Sequence, residues 1–118
     1  MTETEARKFA QEWVDSWNGH DLDAIMSHYS VDVVLTSPAA AKLLNDTSGI
    51  VRGRDSLRAY FKRGLEVYPN LSFQLEDVMW GISSVVLYYR NQNGTKTGEF
   101  MELAENGKIV RVVANYNA

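Results

Sequence analysis

The sequence predicts an α+β domain in which helices pack on one face of a curved antiparallel sheet. Three observations lead there. Apolar residues recur at helical spacing only as far as Tyr68. From Leu71 onward the chain alternates apolar and polar residues. Two Asn-Gly pairs, Asn93-Gly94 and Asn106-Gly107, punctuate that alternating half as hairpin turns. Helices first and a strand meander last is the α+β pattern. At 118 residues the chain reads as one domain, residues 1–118.

The first helix runs from Glu3 to Asn18, with Thr2 or Thr4 as its cap and Asn18-Gly19 as its stop. Phe9, Ala10, Trp13, Val14 and Trp17 share one face. A second helix is expected from Leu22 to Tyr29, capped by His20 or Asp21, with Leu22, Ile25, Met26 and Tyr29 turned inward. Val31 to Ser37 reads as a strand stopped by Pro38. Pro38 to Gly53 reads as a long connection holding one short helical turn, AAAKLLN, and forming a lid with Leu43, Leu44 and Ile50 as its apolar side. The third long helix spans Arg54 to Tyr68, with Leu57, Tyr60, Phe61 and Leu65 apolar, and Pro69-Asn70 ends it. Strands follow at Leu71 to Trp80, Val85 to Asn91, Thr95 to Ala104 and Lys108 to Tyr116.

Taking each Asn-Gly pair as a two-residue turn fixes the register. Glu105 then faces Lys108, Glu102 faces Arg111, Met101 faces Val112 and Glu99 faces Ala114. The other hairpin sets Tyr88 opposite Glu99 and Val86 opposite Met101. One face carries Val86, Tyr88, Glu99, Met101, Val112, Ala114 and Tyr116, and the other carries Leu87, Tyr89, Phe100, Glu102, Arg111 and Val113. A one-residue slip would exchange the faces. Both faces are too apolar for water. The Glu102–Arg111 pair suits the outer one, so Leu87, Tyr89, Phe100 and Val113 are expected to form a homodimer interface. Glu99 then points into the apolar interior. Burial disfavours its anion, raises its pKa and makes it usable as an acid or hydrogen-bond donor. It serves either a ligand or a structural hydrogen bond to Tyr88, Tyr116 or a helix N–H.

Composition narrows the function. The net charge is -3, and there is no Lys/Arg stripe for a nucleic acid. The chain contains no cysteine, which excludes disulfides and thiolate metal sites. His20 and His28 lack ligand spacing, so no metal and no cofactor are expected. The amino terminus, MTETEARKFA, is a charged helix start rather than a signal peptide, and no apolar run reaches membrane-spanning length. A cytoplasmic protein with no membrane partner is expected.

Three stretches, WVDSWNGHDLDAIMSHYSVDVVLTSP, VRGRDSLRAYFKRGLEVYPNLSF and GEFMELAENGKIVRVVANY, taken in their order and spacing, resemble the nuclear-transport-factor-2-like superfamily in its SnoaL-like branch. The resemblance covers nearly the whole chain. It implies a cystatin-like cone, a bent sheet wrapped by about three helices around a deep pocket. Relatives include ketosteroid isomerase, scytalone dehydratase, limonene epoxide hydrolase, polyketide cyclases and purely binding members, so the site must decide the function.

Matched to ketosteroid isomerase, Trp13 stands where a catalytic Tyr would be, Ser37 where the Asp base would be and Phe61 where a further pocket Tyr would be. Glu99 keeps the place of the protonated Asp. Matched to SnoaL-type cyclases, Ala114 stands where the acid/base Asp would be. Steroid isomerisation and the cyclase mechanism are therefore not expected. The expectation is a pocket for a small apolar ligand, lined by Trp13, Trp17, Tyr29, Leu35, Ser37, Phe61, Met101, Val112, Ala114 and Tyr116, with Glu99 and Tyr88 as candidate catalytic residues. The alternative is a non-catalytic carrier or a protein-binding module.

Overall fold

Helix α1 (Glu3–Asn18) starts on a capping box. Thr2 Oγ1 accepts from the Glu5 N–H, and Glu5 accepts from the Thr2 N–H. Its apolar stripe, Ala6, Ala10, Trp13, Val14 and Trp17, is buried. The structure, a computed structural model, describes residues 1–117.

Asp21 caps the short helix α2 (Leu22–Met26), accepting from the Ala24 N–H. The expected continuation to Tyr29 does not form, because strand pairing claims the backbone: the Ile109 N–H donates to the His28 carbonyl. Tyr29 therefore opens strand β1 (Tyr29–Thr36) instead of closing a helix. The expected lid is ordered structure. Pro38 begins helix α3 (Pro38–Leu44), capped by Ser37 Oγ, and Ile50 lies in strand β2 (Ile50–Arg52). Helix α4 (Arg54–Val67) buries Leu57 and Phe61. Strands β3 (Gln74–Trp80), β4 (Ser84–Arg90), β5 (Lys96–Leu103) and β6 (Ile109–Tyr116) complete the chain.

The six strands form one sheet in the order β2-β1-β6-β5-β4-β3. The sheet is not wholly antiparallel, since β1 and β6 run parallel. Helix α1 packs on β3 and α4 on β1, closing the concave side over the core.

Register is where expectation and structure part. Both Asn-Gly turns are three-residue loops whose Gly adopts the left-handed conformation, φ 78° at Gly94 and 81° at Gly107. In the first, the Asn91 N–H donates to the Thr95 carbonyl and the Gly94 N–H to the Asn91 carbonyl, so Gln92, Asn93 and Gly94 form the loop. The extra residue shifts β4 by one. Leu87 faces Glu99, Tyr89 faces Thr97, and Tyr88 faces Gly98. Leu87 and Tyr89 thus lie buried inside, whereas Val86 and Tyr88 are on the outer face. Leu87 and Tyr89 leave the expected dimer interface for this reason.

The second turn is also one residue longer, with Ala104 bonded to Lys108. Here a bulge at Val110 restores the count: Leu103 faces Ile109, yet Glu102 still faces Arg111 and Glu99 still faces Ala114. The outer ion pair is present at 3.7 Å between half-exposed side chains. At that exposure it is worth ~0.2–1 kcal/mol.

Candidate functional site

A cavity of about 460 Å³ opens between the concave sheet face, α1, α3 and α4. This lies within the ~300–1,000 Å³ range usual for small-molecule pockets. Its walls are aromatic. Trp13 stacks on Phe73, with ring centroids 5.7 Å apart and planes within 11°. Phe73 meets Tyr89 at 4.5 Å, and Phe61 sets its ring edge-to-face with Trp17 at 4.7 Å.

Glu99 sits at the floor, 7% exposed. Strand alternation aims it inward from β5, and its cross-strand neighbour Ala114 is too small to cover it. The Tyr89 hydroxyl donates to Glu99 Oε1 at 2.8 Å. Among the described residues no other group hydrogen-bonds the carboxyl. Burial pushes its pKa up to about 7, and the Tyr89 hydrogen bond opposes only part of that rise. The phenols around it move the same way. Tyr116 is pushed up to about 12 by burial and by the Glu99 charge. Burial, again with the Glu99 charge, raises Tyr29 and Tyr89 as well. None of these phenols ionises near neutral pH, and among the described residues Glu99 is the one carboxyl in the lining.

Among the described residues, Thr97 Oγ1 and Gln92 Oε1 of the lining side chains are buried without a hydrogen-bond partner, enclosed by protein rather than open to the cavity, and the Trp17 indole lies by the Tyr29 hydroxyl. Each unpaired buried group costs ~1–3 kcal/mol. Thr97 lies two residues from Glu99 on the same face of β5, and it is 1% exposed. Ser37, which caps α3, places its hydroxyl 3.4 Å from the Tyr116 hydroxyl at the end of β6.

The residues singled out from sequence divide by position. Trp13, Trp17, Leu35, Ser37, Phe61, Glu99, Ala114 and Tyr116 all line the cavity. Tyr29, Met101 and Val112 do not: they are buried in the core behind its walls. Tyr29 holds the Trp13 indole N–H on its hydroxyl at 3.0 Å. Tyr88 does not reach Glu99, for it lies on the opposite face of β4, and Tyr89 takes the expected place. Thr97 and Tyr89 were both missed by the sequence reading. The signal for Tyr89 was the three-residue form of the Asn93-Gly94 turn, and for Thr97 its place two residues before Glu99 on β5. His20 lies outside the cavity, against the Leu71 carbonyl, and His28 packs edge-on to Phe9. Burial lowers the His28 pKa. Among the described residues no group of three or more His, Asp or Glu side chains could hold a metal ion. No helix among them is long and apolar enough to cross a membrane.

A bent sheet closed by helices over an aromatic cavity, with one acid on its floor, places the molecule among cystatin-like, nuclear-transport-factor-2-like folds. The SnoaL-like domain family matches residues 10–112, and the chain belongs to that family. It is 33% identical to a SnoaL-like protein of unknown function from Burkholderia thailandensis, over 99% of this chain and 98% of that one, with a TM-score of 0.95. A protein of unknown function with a cystatin-like fold from Methylobium petroleophilum is 14% identical, over 100% and 79% of the two chains, TM-score 0.78. An epoxide hydrolase/cyclase-like enzyme of pyran ring formation in the polyether salinomycin is 18% identical, over 98% and 92%, TM-score 0.73. The last two likenesses show the shared fold. No curated protein matches the chain.

Proposed function

We propose that this SnoaL-like chain binds a small, mostly apolar molecule in the aromatic cavity and that Glu99 exchanges a proton with it, in chemistry of the isomerase, dehydratase or cyclase type. The supporting observation is Glu99 itself: a buried carboxyl, held by one phenol, facing an open apolar cavity with its pKa pushed up to about 7. A group that titrates near the working pH can both take a proton and return it. In the anionic form Glu99 removes a proton from a carbon next to a carbonyl. The resulting enolate oxygen can accept from the Tyr116 hydroxyl, which lines the same cavity. Protonated Glu99 then returns the proton at the same carbon or at a conjugated one. The fold relative in salinomycin ring formation supports this class of chemistry. A second reading, a non-catalytic carrier, is favoured by the lining itself: among its described residues Glu99 is the one carboxylate and there is no histidine.

The two readings separate by exchange of the α-protons of 2-tetralone in D2O, followed by proton NMR. The catalytic reading expects exchange above the buffer rate and a loss of about 10²–10⁴-fold in Glu99→Gln, the range for general acid–base catalysis. Equal rates in the two proteins, with binding retained, would establish the carrier.

The proposal includes a homodimer through the outer sheet face. The register-corrected interface is Met79, Val86, Phe100 and Val113, a row of directly paired positions across β3, β4, β5 and β6, with Tyr88 alongside. Met79 is 53% exposed. The Glu102–Arg111 pair beside the row supplies both charges, as a two-fold self-contact requires. A cytoplasmic place of work completes the proposal.

A further inference from the structure

We infer that the cavity takes an amphiphilic carboxylic acid: a rigid apolar body between the aromatic walls, an oxygen at the floor beside Glu99, and the carboxylate at the mouth with Lys42 and Arg63. This rests on the small-molecule reading above and adds the class of ligand.

The lining divides by depth. Trp13, Trp17, Phe61, Thr97 and Glu99 are buried, whereas Lys42 on α3 and Arg63 on α4 are exposed and mark the mouth. The chain as a whole is acidic, at net charge -3. Yet the mouth carries two cations, and among the described residues the only lining carboxylate lies at the floor. Arg7, Lys8, Arg58, Arg90 and Arg111 each pair with a carboxylate of the chain. Among the described residues Lys42 and Arg63 do not, nor do Arg52, Arg54, Lys62, Lys96 and Lys108, but of these seven only Lys42 and Arg63 line the cavity.

The second, independent observation is inside. Glu99, 7% exposed, lines the same cavity, and of its two carboxyl oxygens only Oε1 has a hydrogen-bond partner among the described residues, the Tyr89 hydroxyl. A purely apolar ligand would leave Oε2 unpaired, and an unpaired buried group is costly. A ligand carrying a hydroxyl at that end satisfies it. The two ends thus ask for different groups: a neutral oxygen below, where a second anion beside Glu99 would be repelled, and an anion above, where a guanidinium fork and an ammonium suit a carboxylate.

The test is isothermal titration calorimetry of the intact protein with three acids, 4-phenylbenzoate, 4-(4-hydroxyphenyl)benzoate and naphthalene-2-acetate, each against its primary amide. The amide keeps the shape and removes the charge. Each acid that binds is expected to bind about three- to tenfold tighter than its amide, the scale of two partly exposed charge contacts. That advantage should shrink in 0.5 M NaCl by screening. It should vanish in the Lys42→Ala/Arg63→Ala double variant, in which each acid and its amide are expected to bind alike. The 4-hydroxy acid should exceed its parent, through the floor. Amides that bind as tightly as acids, with no effect of salt or of the double variant, would overturn this inference and leave the small-molecule reading standing. Failure of all six probes would overturn both.

Discussion

Glu99 ties stability to pH. Its folded pKa of about 7 lies above the usual glutamate value of 4.5, because burial disfavours the anion. Between those values the folded chain holds a proton that the unfolded chain has released. The stability from the neutral carboxyl is therefore complete below about pH 4.5 and is lost as pH rises through 7. The loss approaches ~3 kcal/mol at ~1.4 kcal/mol per pKa unit. Glutamine keeps an oxygen for the Tyr89 hydroxyl and does not ionise. Urea unfolding at pH 5 and pH 8 is expected to show the wild type losing on the order of 3 kcal/mol relative to Glu99→Gln between the two. Parallel pH profiles for the two proteins would mean that Glu99 titrates as an ordinary carboxyl. At this scale the inward-facing acid was legible, from its place on β5 and the sound pairing of Glu99 with Ala114. Its partner was not legible: Tyr88 and Tyr89 are chemically identical neighbours, and only register tells them apart.

Register, in turn, is decided by the elements. Both hairpins carry Asn-Gly, and in both the Gly takes positive φ as the third loop residue rather than the second. On β6 the bulge at Val110 absorbs the extra residue, so the pairing beyond it comes out as the two-residue turn requires. No bulge follows the other loop in β4 or β5, so β4 turns over whole, bringing Leu87 and Tyr89 inside. Local sequence announces a turn but not its length, and the alternation in VVLYY is apolar on both faces, so it cannot arbitrate. The parallel pairing of β1 with β6 was illegible for a related reason: no turn joins them, and long-range pairing leaves no local mark. The α2 boundary was decided by the same pairing, through the His28 carbonyl. Ser37 shows how much one residue before a proline can carry. Its hydroxyl caps α3, its N–H donates to the Gly49 carbonyl, and it faces Tyr116 at the cavity. Gly49 is constrained in return, at φ 63°, since a Cβ there would fall 2.6 Å from the Ser37 carbonyl oxygen.

Across the whole molecule, the sheet divides labour between its faces. The concave face holds the core and the cavity, and the convex face presents Met79, Val86, Tyr88, Phe100 and Val113. The helices-then-strands order made this architecture legible, and corrected register alone changed which residues meet solvent. The proposed dimer predicts sedimentation at twice the 13.3 kDa chain mass at micromolar concentration. Phe100→Glu would put a charge at the centre of the row and is expected to give monomers with an unchanged circular dichroism spectrum. Monomeric wild type would refute the interface.

The cavity acid is the claim on which the functional reading depends, and carbon-13 NMR titration of the Glu99 side-chain carboxyl reads it directly. A midpoint near 7 that rises when a carboxylic acid probe occupies the cavity is expected. A midpoint near the usual glutamate value of 4.5, unmoved by the probe, would show a solvated carboxyl and contradict the claim.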